Sequence, residues 1–434
     1  MATPSDEMKT KITWRRFEEG DQTWDDLTDL IFNEDTSHKC PTYVHKTPPC
    51  QGSCPSGEDI RGWLAIVRQQ EKPVEGMEWQ EYAFRRSTDA NPFPSMMGRV
   101  CPAPCQDGCN RNEVEDFVGI NAVEQFIGDT AIANGYQFDA PGADTGKKVA
   151  IIGGGPAGLA AAYQLRRMGH GATIFEALSD LGGMFRFGIP GYRVPRDKLS
   201  AEIQRIVDLG VEVKTGVKVG TDVQVADLEK EYDAILWAIG CQSGRGLPVP
   251  GWENTPNCVS GVAFLKAFNE GRMHVTASKV VCVGGGDTSI DVVSVARRLG
   301  HIQSTNPSER PELVVHENYV MHDTAVTAAR EGAEVTLTSL FTKEDMTAAE
   351  HEVMDALTEG VTILDGVMPT EVIKGADGRA TGLKVVPCTV ENGRPVPVEG
   401  GEETVIEADL VVSAIGQGGD MTGLEEFDNG RGLM

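Results

Sequence analysis

The chain is short of positive charge: 39 Lys and Arg stand against 65 Asp and Glu, a formal net charge of −26. So acidic a surface repels nucleic acid and anionic membrane, and neither is expected as a partner. Long hydrophobic runs are missing too, so no stretch approaches the roughly 20 apolar residues that span a bilayer. The opening MATPSDEMKTKITW has no apolar core, so a secretory leader is not expected and the cytoplasm is the expected location. Aromatic residues are scarce, at 6%. No Cys-x2-Cys pair occurs, which argues against a dithiol redox motif and against the commonest zinc-ligand spacing.

What is present is size, glycine and clustered cysteine. At 434 residues the chain exceeds one hydrophobic core, and 40% hydrophobic residues suffice for two or three packed domains. There are 50 glycines and 10 cysteines, and Cys40, Cys50, Cys54, Cys101, Cys105 and Cys109 crowd the first quarter. In a reducing compartment such a cluster reads as metal ligation or redox chemistry, not as disulfides. Near residue 145 the composition turns from Cys-, Pro- and charge-rich to Val/Ile strands alternating with Ala-rich helices, across Pro141-Gly-Ala-Asp-Thr-Gly146. The expected architecture is α/β. A helical metal domain (1–145) precedes two doubly wound dinucleotide-binding domains, one from 146–275 and 408–434, the other from 276–407.

The second part repeats itself. KKVAIIGGGPAGLAAAYQLRRMG from Lys147 and SKVVCVGGGDTSIDVVSVARRLG from Ser278 are each a strand, a glycine turn and a helix ending Arg-Arg-x-Gly. Tyr232–Gly240 and Ala408–Gly416 are apolar strands that both end Ala-Ile-Gly, so Gly240 and Gly416 mark matching positions. Two copies of one unit imply two dinucleotide sites.

In the first copy Gly153, Gly155 and Gly158 fit G-x-G-x-x-G. The first permits a tight turn, the second lets the backbone approach a pyrophosphate, and the third lets helix and strand pack. Pro156 and Ala157 open the helix, whose free N–H groups favour phosphate. Glu176 ends the next strand, where a carboxylate binds ribose hydroxyls. The glycine-rich stretch Leu181–Pro195, with Gly183, Met184 and Arg193, reads either as a surface loop or as a loop along the flavin. Val219 joins the same candidate set. In the second copy Gly284 and Gly286 recur and Ser289 replaces the third glycine. Asp287 and Thr288 open the helix as caps or as ligand contacts. The strand Ala333–Leu340 comes later than the usual ~20 residues, delayed by an insertion over His301–Asp323. Its end, Thr338-Ser-Leu-Phe341, carries no Arg pair for a 2′-phosphate, which favours NADH. His316 and His322 of the insertion lack a third ligand and are expected to be solvated or packed.

Cys50-x3-Cys54-Pro has the tail of bacterial two-cluster ferredoxin motifs, in which the last Cys serves the other cluster. Cys101-x3-Cys105-x3-Cys109 follows. Two cubanes need eight ligands and six Cys are available, so either one cluster forms or two form with non-Cys ligands. Zinc is the competing reading.

These motifs together resemble the glutamate synthase small (β) subunit family. The likeness extends to the N-terminal half of dihydropyrimidine dehydrogenase and to flavoprotein subunits of 2-oxoacid oxidoreductases. The resemblance rests on the Cys segment, Gly146-Lys-Lys-Val-Ala-Ile-Ile-Gly-Gly-Gly-Pro-Ala-Gly158, Leu-Gly-Gly…Phe-Gly-Ile-Pro, Gly-Gly-Gly-Asp-Thr and the closing Ala-Ile-Gly. It implies FAD at the first turn, NAD(H) or NADP(H) at the second, and two [4Fe–4S] clusters. It also implies an electron-transfer subunit working with a larger redox complex or with ferredoxin, such as a 2-oxoacid oxidoreductase or the glutamate synthase large subunit. His45 stands five before Cys50, where the family has Cys, and Gln125 falls where a glutamine closes a cluster, with Glu124 as fallback. The implied sets are Cys40, His45, Cys50 and Cys101 for one cluster, and Cys54, Cys105, Cys109 and Gln125 for the other. The family runs on to a Gly-Gly-Asp segment near the flavin, so another subunit is one expected way of completing that site. No catalytic acid or base is expected. A zinc- and nucleotide-binding adaptor without redox activity is the alternative of another class.

Overall fold

The computed structural model describes residues 47–114, 118–271, 277–299, 333–391 and 393–429. Cys40, His45 and the insertion from His301 lie outside them. The chain forms two compact units, Met1–Gln137 and Phe138–Met434.

The described part of the first unit is helical. Its helices are α1 (Pro49–Ser53), α2 (Ile60–Val67), α3 (Trp79–Ser87), α4 (Pro94–Val100), α5 (Pro104–Asp107) and α6 (Ile120–Ala133). Asp59 caps α2, its carboxylate accepting the Gly62 N–H. Ile60, Trp63 and Ile66 of that helix are buried. Helices α4 and α6 cross where side chains vanish. A Cβ on Gly98 would lie 2.4 Å from the Gln125 amide nitrogen, and one on Gly128 would lie 2.1 Å from that of Ser95. Arg99 bridges the crossing to Asp129 at 2.7 Å.

The second unit carries the repeat in three dimensions. β1 (Lys148–Ile152), β2 (Gly171–Glu176), β3 (Glu212–Thr215) and β4 (Ala234–Trp237) form a parallel sheet in the order 3-2-1-4. Next come the short strands β5 (Ser243–Gly244) and β6 (Cys258–Ser260), then β7 (Lys279–Val283), β8 (Glu334–Thr338) and β9 (Thr362–Leu364). Counting onward through a separate antiparallel layer to β14 (Leu410–Ser413), the second sheet reads 6-14-7-8-9. Removing β6 leaves the same order as the first. The match reaches single hydrogen bonds. Asp233 accepts the N–H of Lys148 at the start of β1, and Asp409 accepts the N–H groups of Ser278 and Lys279 at the start of β7.

Two differences from the sequence reading follow. β14 pairs in parallel with β6 and β7, so Ala408–Gly416 belongs to the second sheet and not to the flavin domain. Only the chain beyond it returns to the first domain. There β15 (Gln417–Gly418) pairs with β5, Trp237 meets Phe427 at 5.3 Å, and Lys218 pairs with Asp420. The antiparallel layer was not foreseen. Its strands are β10 (Val367–Lys374), β11 (Ala380–Glu391), β12 (Arg394–Pro397) and β13 (Thr404–Glu407). Val372, Leu383 and Val385 of this layer pack with Leu247, Val281, Val283 and Val411, closing one face of the second sheet. The other face is covered by α11 (Gly261–Asn269), α12 (Asp287–Leu299) and α13 (Glu350–Thr358). Between β1 and β3 lie α7 (Pro156–Arg167), α8 (Gly183–Phe187) and α9 (Arg196–Val207), and α10 (Val225–Glu231) precedes β4.

Candidate functional site

The first glycine turn is built to leave space. Gly153 sits at φ +112°, where a side chain is strained, and its Cβ would lie 2.2 Å from the Ala238 carbonyl oxygen. A Cβ on Gly158 would lie 2.0 Å from the Gly153 oxygen, so helix and turn touch directly. Gly155 is different: its nearest neighbour would be the Gly183 Cα at 3.7 Å. The loop glycine Gly183 lies closely over the turn glycine, since a Cβ on it would lie 2.7 Å from the Gly155 Cα, and Pro156 starts α7 there. Such a cradle at a helix N-terminus fits a pyrophosphate. Glu176 is buried, and its two oxygens accept the N–H groups of Gly154 and Leu178, both at 2.7 Å. It braces the turn while keeping lone pairs free for hydroxyl donors. Met184 lies on α8 beside Gly188. Val219 is buried in the core below the sheet with Phe175 and Tyr232.

The second turn repeats the first. Gly284 donates to the Thr338 carbonyl as Gly153 donates to that of Phe175, and its Cβ would lie 2.6 Å from the Ala414 oxygen. Ser289 is buried and its hydroxyl donates to the Gly286 carbonyl at 2.6 Å, which is how a hydroxyl residue stands in for the third glycine. Over this turn opens a cavity of about 670 Å³ lined by Gly284–Thr288, Thr338, Phe341, Thr347 and Gly416 among others. That volume suits a nucleotide ligand. Among the described residues, Asp287 is the one charged side chain lining it. Asp287 Oδ1 accepts the Ala349 N–H at 3.2 Å ahead of α13, so the carboxylate caps a neighbouring element. Gly240 and Gly416 sit at φ +67° and +124°, and Gly416 lies at the cavity rim. Gln417 escaped the sequence reading. Its Nε2 donates to the Thr288 hydroxyl at 3.3 Å, and its position one residue after Ala-Ile-Gly416 was the available signal.

Arg193 does not lie at either turn. It joins two carboxylates of the second domain, Asp291 on α12 at 2.7 Å and Glu352 on α13. Burial pushes the Asp291 carboxyl up to about 6 even though Arg193 pulls it down. Its neighbour Tyr192 lies under the Arg298 guanidinium, 3.8 Å from the ring centroid, and Arg298 pairs with Glu359 at 2.6 Å. Asn269 of α11 donates to the carbonyls of Phe187 and Ile189. The Gly183–Pro195 stretch therefore touches the first turn at one end and is fastened to the second domain at the other.

Burial is the main influence on the described cysteines of the first unit whose thiols are shifted. Burial chiefly raises the Cys50 thiol, and Cys109 adds to it. Burial likewise pushes Cys105 up to about 12, helped by Cys101 and Cys54, while Cys101 feels Glu124 and Cys54. Among the described residues no three His, Cys, Asp or Glu side chains are already gathered as ligands of one metal ion. The donor set is soft and thiol-rich, which fits iron–sulfur ligation, and a bound cation would ionise thiols that burial keeps neutral. Cys109 adds to the Cys50 shift, and Cys54 adds to those of Cys101 and Cys105. Glu124 is buried and acts on Cys101 and Cys105, whereas Gln125 is only half-buried and lies under the α4 crossing. A helix turns successive side chains by 100°, so the two face different surroundings. Asn91 orients Glu124, donating to it at 2.6 Å.

Comparison with known proteins agrees with this layout. A family described as pyridine nucleotide-disulphide oxidoreductase matches residues 147–431. A second, described as dihydropyrimidine dehydrogenase domain II, 4Fe-4S cluster, matches residues 31–136. The NADPH-Fe(3+) oxidoreductase subunit beta of Geobacter sulfurreducens is 33% identical over 407 residues, covering 89% of this chain and 54% of that one. The glutamate synthase [NADPH] small chain of Mycobacterium tuberculosis is 33% identical over 383 residues, covering 85% and 72%. The chain thus spans about half the length of the Geobacter relative. Among solved structures, a mutant of FprA from Mycobacterium tuberculosis superposes with a TM-score of 0.50 at 17% identity, over 64% of this chain and 72% of that one. That likeness speaks to the fold alone.

Proposed function

Because the chain belongs to the pyridine nucleotide-disulphide oxidoreductase family, with a 4Fe-4S domain ahead of it, we propose that it is an NAD(P)H-dependent electron-transfer subunit. It works between NAD(P)H, FAD and two [4Fe–4S] clusters and exchanges electrons with a protein partner of a larger complex, such as a 2-oxoacid oxidoreductase. The observation that carries the reading is the pair of matching glycine turns, each opening a helix after a parallel strand, joined by one loop.

The roles divide by residue. Gly153, Gly155 and Gly158 hold the flavin pyrophosphate at the N-terminus of α7, and Glu176 offers its lone pairs to ribose hydroxyls. Gly284, Gly286, Thr288 and Gln417 receive the nicotinamide dinucleotide. The cavity over them carries no cation among the described residues, which favours NAD(H) over NADP(H). Cys50 and Cys109, with Cys40 and His45, serve one cluster; Cys54, Cys101, Cys105 and Glu124 serve the other. A bound FAD would supply the link between two-electron hydride chemistry at the nicotinamide and one-electron transfer at the clusters. The protein supplies position, burial and water exclusion.

An anaerobic absorption spectrum of the purified chain tests this. Flavin bands with a broad shoulder, both bleached by NADH, are expected. A colourless protein containing zinc would establish the adaptor reading instead. A second reading, the small subunit of glutamate synthase, is favoured by the Mycobacterium relative, and would require glutamate formation when the chain is combined with a glutamate synthase large subunit.

A further inference from the structure

The two glycine turns are braced alike, and the brace differs in what it leaves for a ligand. Gly153 donates to the carbonyl of Phe175 and Gly284 to that of Thr338, so Glu176 and Ser339 hold matching places at the ends of β2 and β8. Each accepts the N–H two residues on. Glu176 Oε1 takes that of Leu178 at 2.7 Å, and Ser339 Oγ takes that of Phe341 at 3.1 Å. Each also borders the middle glycine of its turn. A Cβ on Gly154 would lie 3.1 Å from Glu176 Oε2, and one on Gly285 would lie 2.9 Å from Ser339 Oγ. Glu176 keeps lone pairs for ribose hydroxyls. Ser339 is two carbons shorter and buried, and its one oxygen is already engaged by the main chain. At the second site the place of the ribose carboxylate is therefore taken by a group that braces the turn and reaches no further.

Phe341 stands where the adenosine half has to be held by something else. It lines the cavity of about 670 Å³ together with Gly285, Gly286 and Thr288. Its main chain is held at both ends, the N–H by Ser339 and the carbonyl by the Gly366 N–H at 3.3 Å. The residue is nevertheless 38% exposed. In a doubly wound sheet the pyrophosphate sits at the helix N-terminus, and the adenosine end lies at the end of the strand that follows that helix. Here that strand is β8, while Gly416 and Gln417 follow β14 on the other side of β7. We infer that Phe341 is the adenine platform of the second dinucleotide site, its ring stacking on the purine. The inference deepens the NAD(P)H reading above and rests on it. Stacking on an aromatic face needs no ribose carboxylate, so recognition of the adenosine half passes from the sugar to the base.

The probe is ADP-ribose, which carries the adenosine half and no nicotinamide, titrated calorimetrically onto the full chain. Phe341→Ala is expected to raise its Kd about tenfold or more, and Phe341→Trp to keep it within about twofold of the wild type. The adenine H2 and H8 resonances should move upfield on the wild type, under the ring current of the stacked phenyl, and not on Phe341→Ala. NMNH, which lacks the adenosine, should bind the wild type and Phe341→Ala equally. An ADP-ribose Kd unchanged in Phe341→Ala overturns the inference and leaves the nicotinamide reading intact. So does an equal loss of ADP-ribose and NMNH, which would make Phe341 a support of the pocket's shape. Failure of both probes to bind the wild type overturns the site reading on which the inference rests, and the inference with it.

Discussion

Arg193 and Asp291 come from different domains of the second unit, 98 residues apart in sequence, and meet at 2.7 Å in a largely buried ion pair that Glu352 completes. The pair is the centre of the fastening that joins the flavin-side loop to α12 and α13. Arg193→Met leaves two carboxylates without their cation. Removing one partner of a buried pair costs about 3–5 kcal/mol, less whatever protonation recovers. A thermal melt should show the loss. Arg193→Met combined with Asp291→Asn should recover part of it, and a double-mutant cycle measures the coupling. Additive effects of the two substitutions would show that the pair contributes no coupling.

The same carboxyl sets a pH dependence. Burial holds Asp291 at about 6, above its unfolded value near 3.9. The folded state therefore binds the proton more tightly, and the stability this brings is full below about pH 4 and is lost as pH rises through 6. A tenfold change in proton affinity is worth about 1.4 kcal/mol, so between pH 4 and 7 the wild type should lose about 3 kcal/mol relative to Asp291→Asn. Denaturant unfolding at several pH values reads the difference directly. A constant gap between the two proteins would show that Asp291 is ionised throughout.

At the first turn, substitution separates fold from ligand. Gly158→Ala drives a methyl to 2.0 Å from the Gly153 oxygen, so it should destabilise the unit whether or not flavin is present. Gly155→Ala meets nothing closer than 3.7 Å among the described residues. It should fold with a nearly unchanged melting temperature and yet retain little flavin, because the methyl occupies the pyrophosphate's approach. The ratio of flavin to protein absorbance checks this. Normal flavin content in Gly155→Ala would remove the cradle from the site.

The cluster sets make a spectroscopic prediction. Ser at Cys50 or Cys109 should abolish one paramagnetic signal of the reduced protein. Ser at Cys54, Cys101 or Cys105, and Ala at Glu124, should abolish the other, while Ala at Gln125 should leave both. Loss of a signal in Gln125→Ala with none in Glu124→Ala would reverse the reading of α6.

What the sequence made legible was local. Glycine turns and the helix starts after them are fixed by neighbours a few residues away, and they recur because the unit recurs. The repeat also made matching strands legible, since Tyr232–Gly240 and Ala408–Gly416 end alike. The reading failed where long-range pairing decides. β14 looked like a closing strand of the flavin domain, and only its register with Cys258–Ser260 and Lys279–Val283 shows otherwise. The layer β10–β13 carried a hairpin signal, Asp377-Gly378 with Gly378 at φ +78°, but short alternating strands interrupted by Pro do not announce which sheet they cover. The ion pairs of Arg193 were not legible for a similar reason: its counter-charges lie on helices far along the chain.

The nicotinamide cavity makes the last prediction. A 2′-phosphate carries nearly two negative charges and needs cationic partners, usually guanidinium groups. At the end of β8 the lining offers Thr338, Leu340 and Phe341, and the one charged residue of the described lining, Asp287, is an acid. Ser339 cannot turn to serve, because it is buried and its hydroxyl accepts the Phe341 N–H at 3.1 Å. NADH should therefore be used in preference to NADPH, with kcat/KM higher by about tenfold or more. Leu340→Arg places a guanidinium at the strand end and should narrow that ratio by improving NADPH, leaving NADH little changed. Steady-state kinetics with both dinucleotides decides the matter. A wild-type preference for NADPH would mean that a cation outside the described lining reaches the ribose.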